Sequence, residues 1–157
     1  MSSGKAATRE TAPKINPQPW LWNHPRVLVE EPDEAAGLAI SSALRFAGYS
    51  VGVCPGPRGH GQCPLTGPGG CAPAHGADLI VCSLGYEREV AREVLRELRA
   101  RYPGIPMLVA VPSEVDAELG RLLDGCHRLP AGASAEEVVA AVQSLYPNVT
   151  EGSPADA

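Results

Sequence analysis

The chain has no basic excess. Thirteen lysines and arginines stand against 18 acids, for a net charge of −5 and a pI near 5.3. Nucleic acid is therefore not expected as a partner, because nothing is present to neutralise a run of phosphates. No apolar run approaches the ~18–20 residues that span a bilayer, so no membrane segment is expected either. Residues 1–19, MSSGKAATRETAPKINPQP, lack the apolar stretch of a secretory leader, which points to a cytoplasmic location. The cysteines do not come in an even number. Five of them, at 54, 63, 71, 82 and 126, in a reducing setting argue against a disulfide framework. Without secretion, the glycosylation triplet Asn148-Val149-Thr150 carries no weight.

With 157 residues, 44% of them apolar and 20% charged, one domain with a genuine core and polar tails is expected. Residues 1–25 read as a flexible tail, interrupted by Pro19-Trp20-Leu21-Trp22, which holds both tryptophans. That segment either folds back onto the domain or docks a protein partner, tryptophan being a frequent interface anchor.

From Arg26 the pattern becomes regular. Val27-Leu28-Val29 is a short apolar run followed by acids, as in a buried parallel strand. Asp33 caps a helix with the stripe Ala36, Ile40, Ala43, Leu44 and Ala47, and Gly48 stands where a C′ glycine belongs. Tyr49 to Cys54 reads as a second strand and Asp78 to Leu84 as a third. A helix from Glu87 to Tyr102 buries Val90, Ala91, Val94, Leu95 and Leu98. Its arginines interleave with glutamates, which predicts a solvated, self-paired face. Pro106 to Val111 is a fourth strand. Ser113 with Asp116 resembles a capping box for a helix through Leu119 and Leu123. Residues 126–130 make a short fifth strand, in which Cys126 and His127 are expected to pack. Ser134 and Glu137 form a second capping box for a helix through Val138, Val142 and Leu145, and 147–157 is a disordered tail. Strands alternating with amphipathic helices predict a parallel α/β sheet, and order 2-1-3-4-5 is common at five strands.

At this point residues 26–146 resemble the receiver domain of two-component response regulators. RVLVEEPDEAAGLAISSALRFAGYSV is similar to a receiver's first strand and helix with the Gly-Tyr into strand two. ADLIVCSL is similar to its third strand, GIPMLVAV to its fourth, and LPAGASAEEVVAAV to the end of its fifth strand and last helix. The resemblance implies a flavodoxin-like fold and a bacterial signalling role. It also implies five working positions, and here the chain departs from the pattern. The acidic pair that holds Mg²⁺ corresponds to Glu31 and Pro32, with Asp33 next; a one-residue shift would make it Glu30 and Glu31. The phosphoacceptor aspartate corresponds to Ser83, the hydroxyl residue to Val111, and the lysine before proline to Leu129. With carboxylates lost, the oxygen ligands Mg²⁺ wants are too few. Serine does not replace a carboxylate as phosphoryl acceptor, and Leu129 cannot balance the transferred charge, since Arg128 should point to the other face. Glu30, Glu31 and Asp33 are expected to form an exposed acidic rim.

A second departure lies between strands two and three, where receivers carry a helix. Seven of the 22 residues from Pro55 to Gly76 are Gly and five are Pro, which predicts an irregular loop in place of that helix. Part of one sheet face would then lie open for Trp20 and Trp22, or a partner, to cover. The loop carries Cys54, His60, Cys63, Cys71 and His75. Its spacing matches no compact zinc pattern, yet Cys54, Cys63, Cys71 and His75 could hold Zn²⁺; an iron–sulfur cluster, a thiol switch or free thiols are the other readings. Cys82, within an apolar strand, is expected to be a core residue.

Two functions follow. The first is a phosphorylation-independent, receiver-like module that regulates by binding a protein, with a homodimer left open. The second is a metal- or redox-responsive sensor built on residues 54–75. No nucleophile–base set, phosphate loop or His/carboxylate constellation appears, so catalysis is not expected.

Overall fold

Strand β1, Arg26–Glu30, is the second strand of the sheet, and its side chains alternate between the two faces. Val27 and Val29 point one way and Leu28 and Glu30 the other, all four buried. The computed structural model describes residues 24–57 and 63–147. β1 pairs in parallel with β2 (Ser50–Cys54) and β3 (Leu79–Cys82); β4 (Met107–Val111) and β5 (His127–Pro130) complete the order 2-1-3-4-5. This is the flavodoxin-like arrangement expected from the alternation of elements. Asp78 ties the leading ends of β1 and β3 together: its carboxylate accepts from Arg26 N, Nε and Nη2 at 2.8–3.0 Å.

Helices α1 (Glu34–Phe46) and α5 (Ala135–Leu145) cover one face. Asp33 Oδ1 accepts the Ala36 N–H at 2.8 Å and starts α1. At its end Gly48 takes φ +94°, its N–H donates to Arg45 O and the Tyr49 N–H to Leu44 O. That paired closure needs a left-handed residue, which is why glycine stands there. The Ser134/Glu137 capping box forms with both bonds in place. Ile40, Leu44, Val138 and Val142 pack on Val27, Val29, Val51, Leu79, Val81 and Leu108, with Tyr49 beside them and the buried Ser41 hydroxyl donating to Leu38 O at 3.1 Å.

α3 (Glu89–Arg101) and α4 (Ala117–Leu122) lie on the other face. α4 begins three residues later than a Ser113 cap would place it: Asp116 is the cap, accepting the Leu119 N–H at 2.8 Å. The reason is long-range, since Arg92 of α3 grips the same carboxylate with both terminal nitrogens, at 2.6 and 3.2 Å. The arginine face of α3 is thus only partly self-paired. Arg96 meets Glu89 and Arg101 meets Glu97, but Arg92 and Arg96 also reach Glu118 of α4.

The segment between β2 and β3 corrects the expectation of a structureless loop. A 3₁₀ turn forms at Pro64–Thr66, and a five-residue helix, α2, at Ala72–Gly76. Both carry proline in the first turn, where the missing N–H has no intrahelical partner to lose. Composition alone counted those prolines as breakers. The sheet face is also not open, because Leu65, Cys71 and Ala74 are buried against it. The end of α3 holds the segment by its main chain. Tyr102 Oη accepts the Cys71 N–H and donates to Cys71 O, at 2.9 and 3.1 Å, while Arg101 donates to Gly67 O and Gly69 O. Trp20 and Trp22, assigned above to cover this face, lie outside the described residues. Among those described, no helix is long and apolar enough to cross a membrane.

Candidate functional site

The carboxyl ends of the strands form a shallow cavity of about 340 Å³ whose walls include Glu31, Ser83, Glu87, Ala110, Ala131 and Gly132. Glu31 follows β1 and Ser83 follows β3, so parallel pairing carries both to one edge. Glu87 folds back over Gly85; a Cβ there would come within 2.5 Å of Glu87 Oε1, so the glycine leaves room for the carboxylate. Of the five positions singled out above, only Glu31 and Ser83 meet here. Val111 is buried against the α3 side, Leu129 is half-buried towards the α1 and α5 side, and both border a neighbouring depression beside Arg128. Asp33 is occupied as the α1 cap.

Charge in the cavity is all of one sign. Among the described residues, Glu31 and Glu87 line it and no cationic side chain does. Both lysines of the protein, Lys5 and Lys14, lie outside the described residues. The residues do not fit a Mg²⁺ ion. Glu31 Oε1 already accepts the Asp33 N–H at 2.9 Å, Asp33 caps its helix, and Ser83 brings no carboxylate. No trio of His, Cys, Asp or Glu arranged for a metal occurs among the described residues.

No family model matches the sequence, and no curated protein matches it significantly. Solved structures do match. Over 77% of this chain and 98% of its own, the chemotaxis protein CheY4 of Vibrio cholerae superposes with a TM-score of 0.57 at 16% identity. A CheY-like receiver domain protein from Methanospirillum hungatei gives 0.58 at 14% identity, covering 78% of this chain and 93% of its own. The receiver domain of the Francisella response regulator 1452 gives 0.56 at 18%, covering 78% and 96%. The fold is that of a receiver domain.

On the receiver fold the two alignments of the acidic pair separate. Glu30 pairs in register with Cys82 and is 2% exposed, so it faces the interior and is no part of the acidic rim expected for it. Glu31 is the acid that looks into the cavity. The signal for Glu30 was the strand's period of two, which puts residue 30 on the same side as Leu28. Burial pushes its carboxyl up to about 7, against the pull of a hydrogen bond from the Cys54 thiol, and Oε2 has no hydrogen-bond partner.

The Cys/His set of the loop is only partly assembled. Cys54, Cys63 and Cys71 pack against the same core cluster, whereas His75 is exposed, its ring edge-on to Tyr102 at 6.2 Å. His60 lies outside the described residues. Burial raises Cys54 to about 12 and pushes Cys71 and Cys82 up as well. Cys82 is a core residue, 0% exposed, and Cys126 is half-buried; His127, expected to pack, is exposed because β5 is an edge strand.

Proposed function

We propose that the protein is a phosphorylation-independent, receiver-like regulatory module that acts in signal transduction by binding a protein partner. The observation that carries this reading is the charge and chemistry of the strand-end cavity: Glu31 and Glu87 line it with Ser83, and no cationic side chain among the described residues does. A phosphoryl group arriving there would meet two carboxylates and no balancing charge, which opposes the transfer. The module is not an enzyme, and its signal leaves through a surface. The acidic balance favours protein over nucleic acid as the partner. A thiol-based redox switch has less support, because reactive cysteines are those held as thiolates, and burial here favours the thiol.

The test is incubation of the full chain with acetyl phosphate and Mg²⁺, read by intact mass and native gel mobility. Mass and mobility are expected to stay unchanged. A labile adduct of one phosphoryl group would overturn the reading.

A further inference from the structure

Helices α1 and α3 are equally long, yet their outer surfaces differ. Seven of the 13 residues of α3 are charged, whereas in α1 only Glu34 and Arg45 are. The side of α1 turned away from the sheet carries Ala35, Leu38, Ala39, Ser42 and Phe46, all exposed. Spacings of three, four and seven residues bring them onto one face of the helix. Phe46, the single phenylalanine of the protein, is 97% exposed, and Leu38 is 64% exposed. Val53 on the edge strand β2 is exposed too, and its Cγ1 stands 3.3 Å from the place of a Cβ on Gly37 of the same helix. Among the described residues these are the three large apolar side chains left exposed, and one helix gathers them all. Scattered singly they would need no explanation, but a contiguous apolar patch marks a surface that something covers.

The chain enters the described region beside this patch. His24 Nδ1 donates to Gly48 O at 2.9 Å, two residues beyond Phe46, and Pro25 O accepts the Ser50 N–H at 2.9 Å. Immediately ahead of that fastening the sequence runs Pro19-Trp20-Leu21-Trp22. We propose that Trp20 and Trp22 dock on the outer face of α1 of their own chain, Trp22 against Phe46 and Trp20 along the helix towards Leu38. Reach permits it: at ~3.3–3.6 Å per extended residue, Trp22 lies within about 7 Å of His24 and Trp20 within about 14 Å. Prolines at 17, 19 and 25 bias the residues before them to extended backbone. In an extended segment Trp20 and Trp22 face one side about 7 Å apart, little more than a helical turn. Charge agrees with the docking. Residues 1–23 hold three of the 13 cations and one of the 18 acids, so this segment is basic while the rest of the chain is acidic. Followed back from Trp20 along α1, it heads for Asp33 and Glu34 at the helix start. A second copy of the chain is the poorer occupant. Each side of a stable dimer commits about 20–30 residues, whereas a tethered segment needs far fewer, because its link supplies a local concentration in the ~mM range. The docking does not depend on the reading given for the strand-end cavity.

Both tryptophans of the protein lie in this segment and Phe46 is its sole phenylalanine, so spectra of the full chain report on the contact without ambiguity. Tryptophan emission should be blue-shifted and shielded from acrylamide, and NOEs should join the indoles to the Phe46 ring. Sedimentation should give a monomer whose emission does not change on dilution. Phe46→Ser, at a side chain that the described core does not use, should shift the emission to the red and restore quenching towards that of the urea-unfolded chain, with far-UV circular dichroism unchanged. Leu38→Ser should do the same to a smaller extent. Glu93→Ser, exposed on α3 at the opposite face of the sheet, should leave emission and quenching as in the parent. Solvent-exposed emission in the parent chain would overturn the proposal and leave the face to a protein partner. A dimer whose blue shift fades on dilution would do so too, and would assign the face to a second copy. Blue-shifted emission that the Phe46→Ser/Leu38→Ser double variant leaves unchanged would put the tryptophans elsewhere and equally defeat the idea.

Discussion

On one face of the sheet, α1 and α5 lay hydrocarbon on hydrocarbon, and their capping residues stand where a sequence reader looks for them. On the other, α3 and α4 share the work with a Gly- and Pro-rich segment, and the core there includes a carboxyl, a phenol and several sulfurs. Tyr86 Oη, buried like Glu30 Oε2, has no oxygen or nitrogen partner and only the weakly bonding Cys82 thiol beside it. Buried polar groups with weak or missing partners reduce stability, and in this protein Glu30 and Tyr86 both stand on the second face.

Matched deletions probe the contrast most strongly. Leu44 and Leu65 are both buried, one under α1 and one in the 3₁₀ turn. Leu44→Ala should cost about 4 kcal/mol and Leu65→Ala about 3 kcal/mol in urea unfolding, as cavities in packed cores do. A cost below about 1 kcal/mol at Leu65 would mean that the Gly/Pro segment does not bear on the sheet.

Next in size is Glu30. Its carboxyl is raised from 4.5 to about 7, so the folded state holds the proton that the unfolded chain gives up. The stability is fully present below the unfolded value, declines as pH rises towards 7, and levels off above. Glu30→Gln should remove that decline and gain roughly 2–3 kcal/mol at pH 8 over the parent. Parallel melting curves for the two proteins from pH 5 to 8 would show instead that Glu30 is solvated.

The smallest effect belongs to the strand ends. Asp78→Asn, which weakens the grip on Arg26, should cost about 1–2 kcal/mol at neutral pH. The ordinary contribution is lost as pH falls through the depressed Asp78 value, because the Arg26 hydrogen bond favours the carboxylate. A mutant equal to its parent at pH 7 would make the contact ornamental.

Much of the first face was legible because its signals are local. Asp33, Gly48 and the Ser134/Glu137 pair each act within a few residues of where they stand. The second face was harder to read because its causes are distant. Asp116 rather than Ser113 starts α4 alongside a bond from Arg92, 24 residues away. α2 and the 3₁₀ turn are held by Tyr102 and Arg101, about which the composition of 55–76 says nothing. Glu30 was read as an exposed acid because charge at a strand end usually is exposed; its pairing with Cys54 and Cys82 decides otherwise. In the cavity, Ser83 and Glu31 were legible, whereas the approach of Glu87 over Gly85 needed the fold.

Arg101 and Tyr102 grip the carbonyls of Gly67 and Gly69 and the amide and carbonyl of Cys71, all of them backbone groups. A grip on the backbone is indifferent to the identity of what it holds. The stretch from Gly67 to Gly69 can therefore drift in sequence, provided the chain keeps its path, whereas a Cβ at Gly70 would press on Tyr102 Oη at 3.3 Å, and Leu65 and Ala74 on either side are buried. This makes the segment a natural place for evolution, or for an engineer grafting a recognition peptide, to try new residues without refolding the sheet beneath.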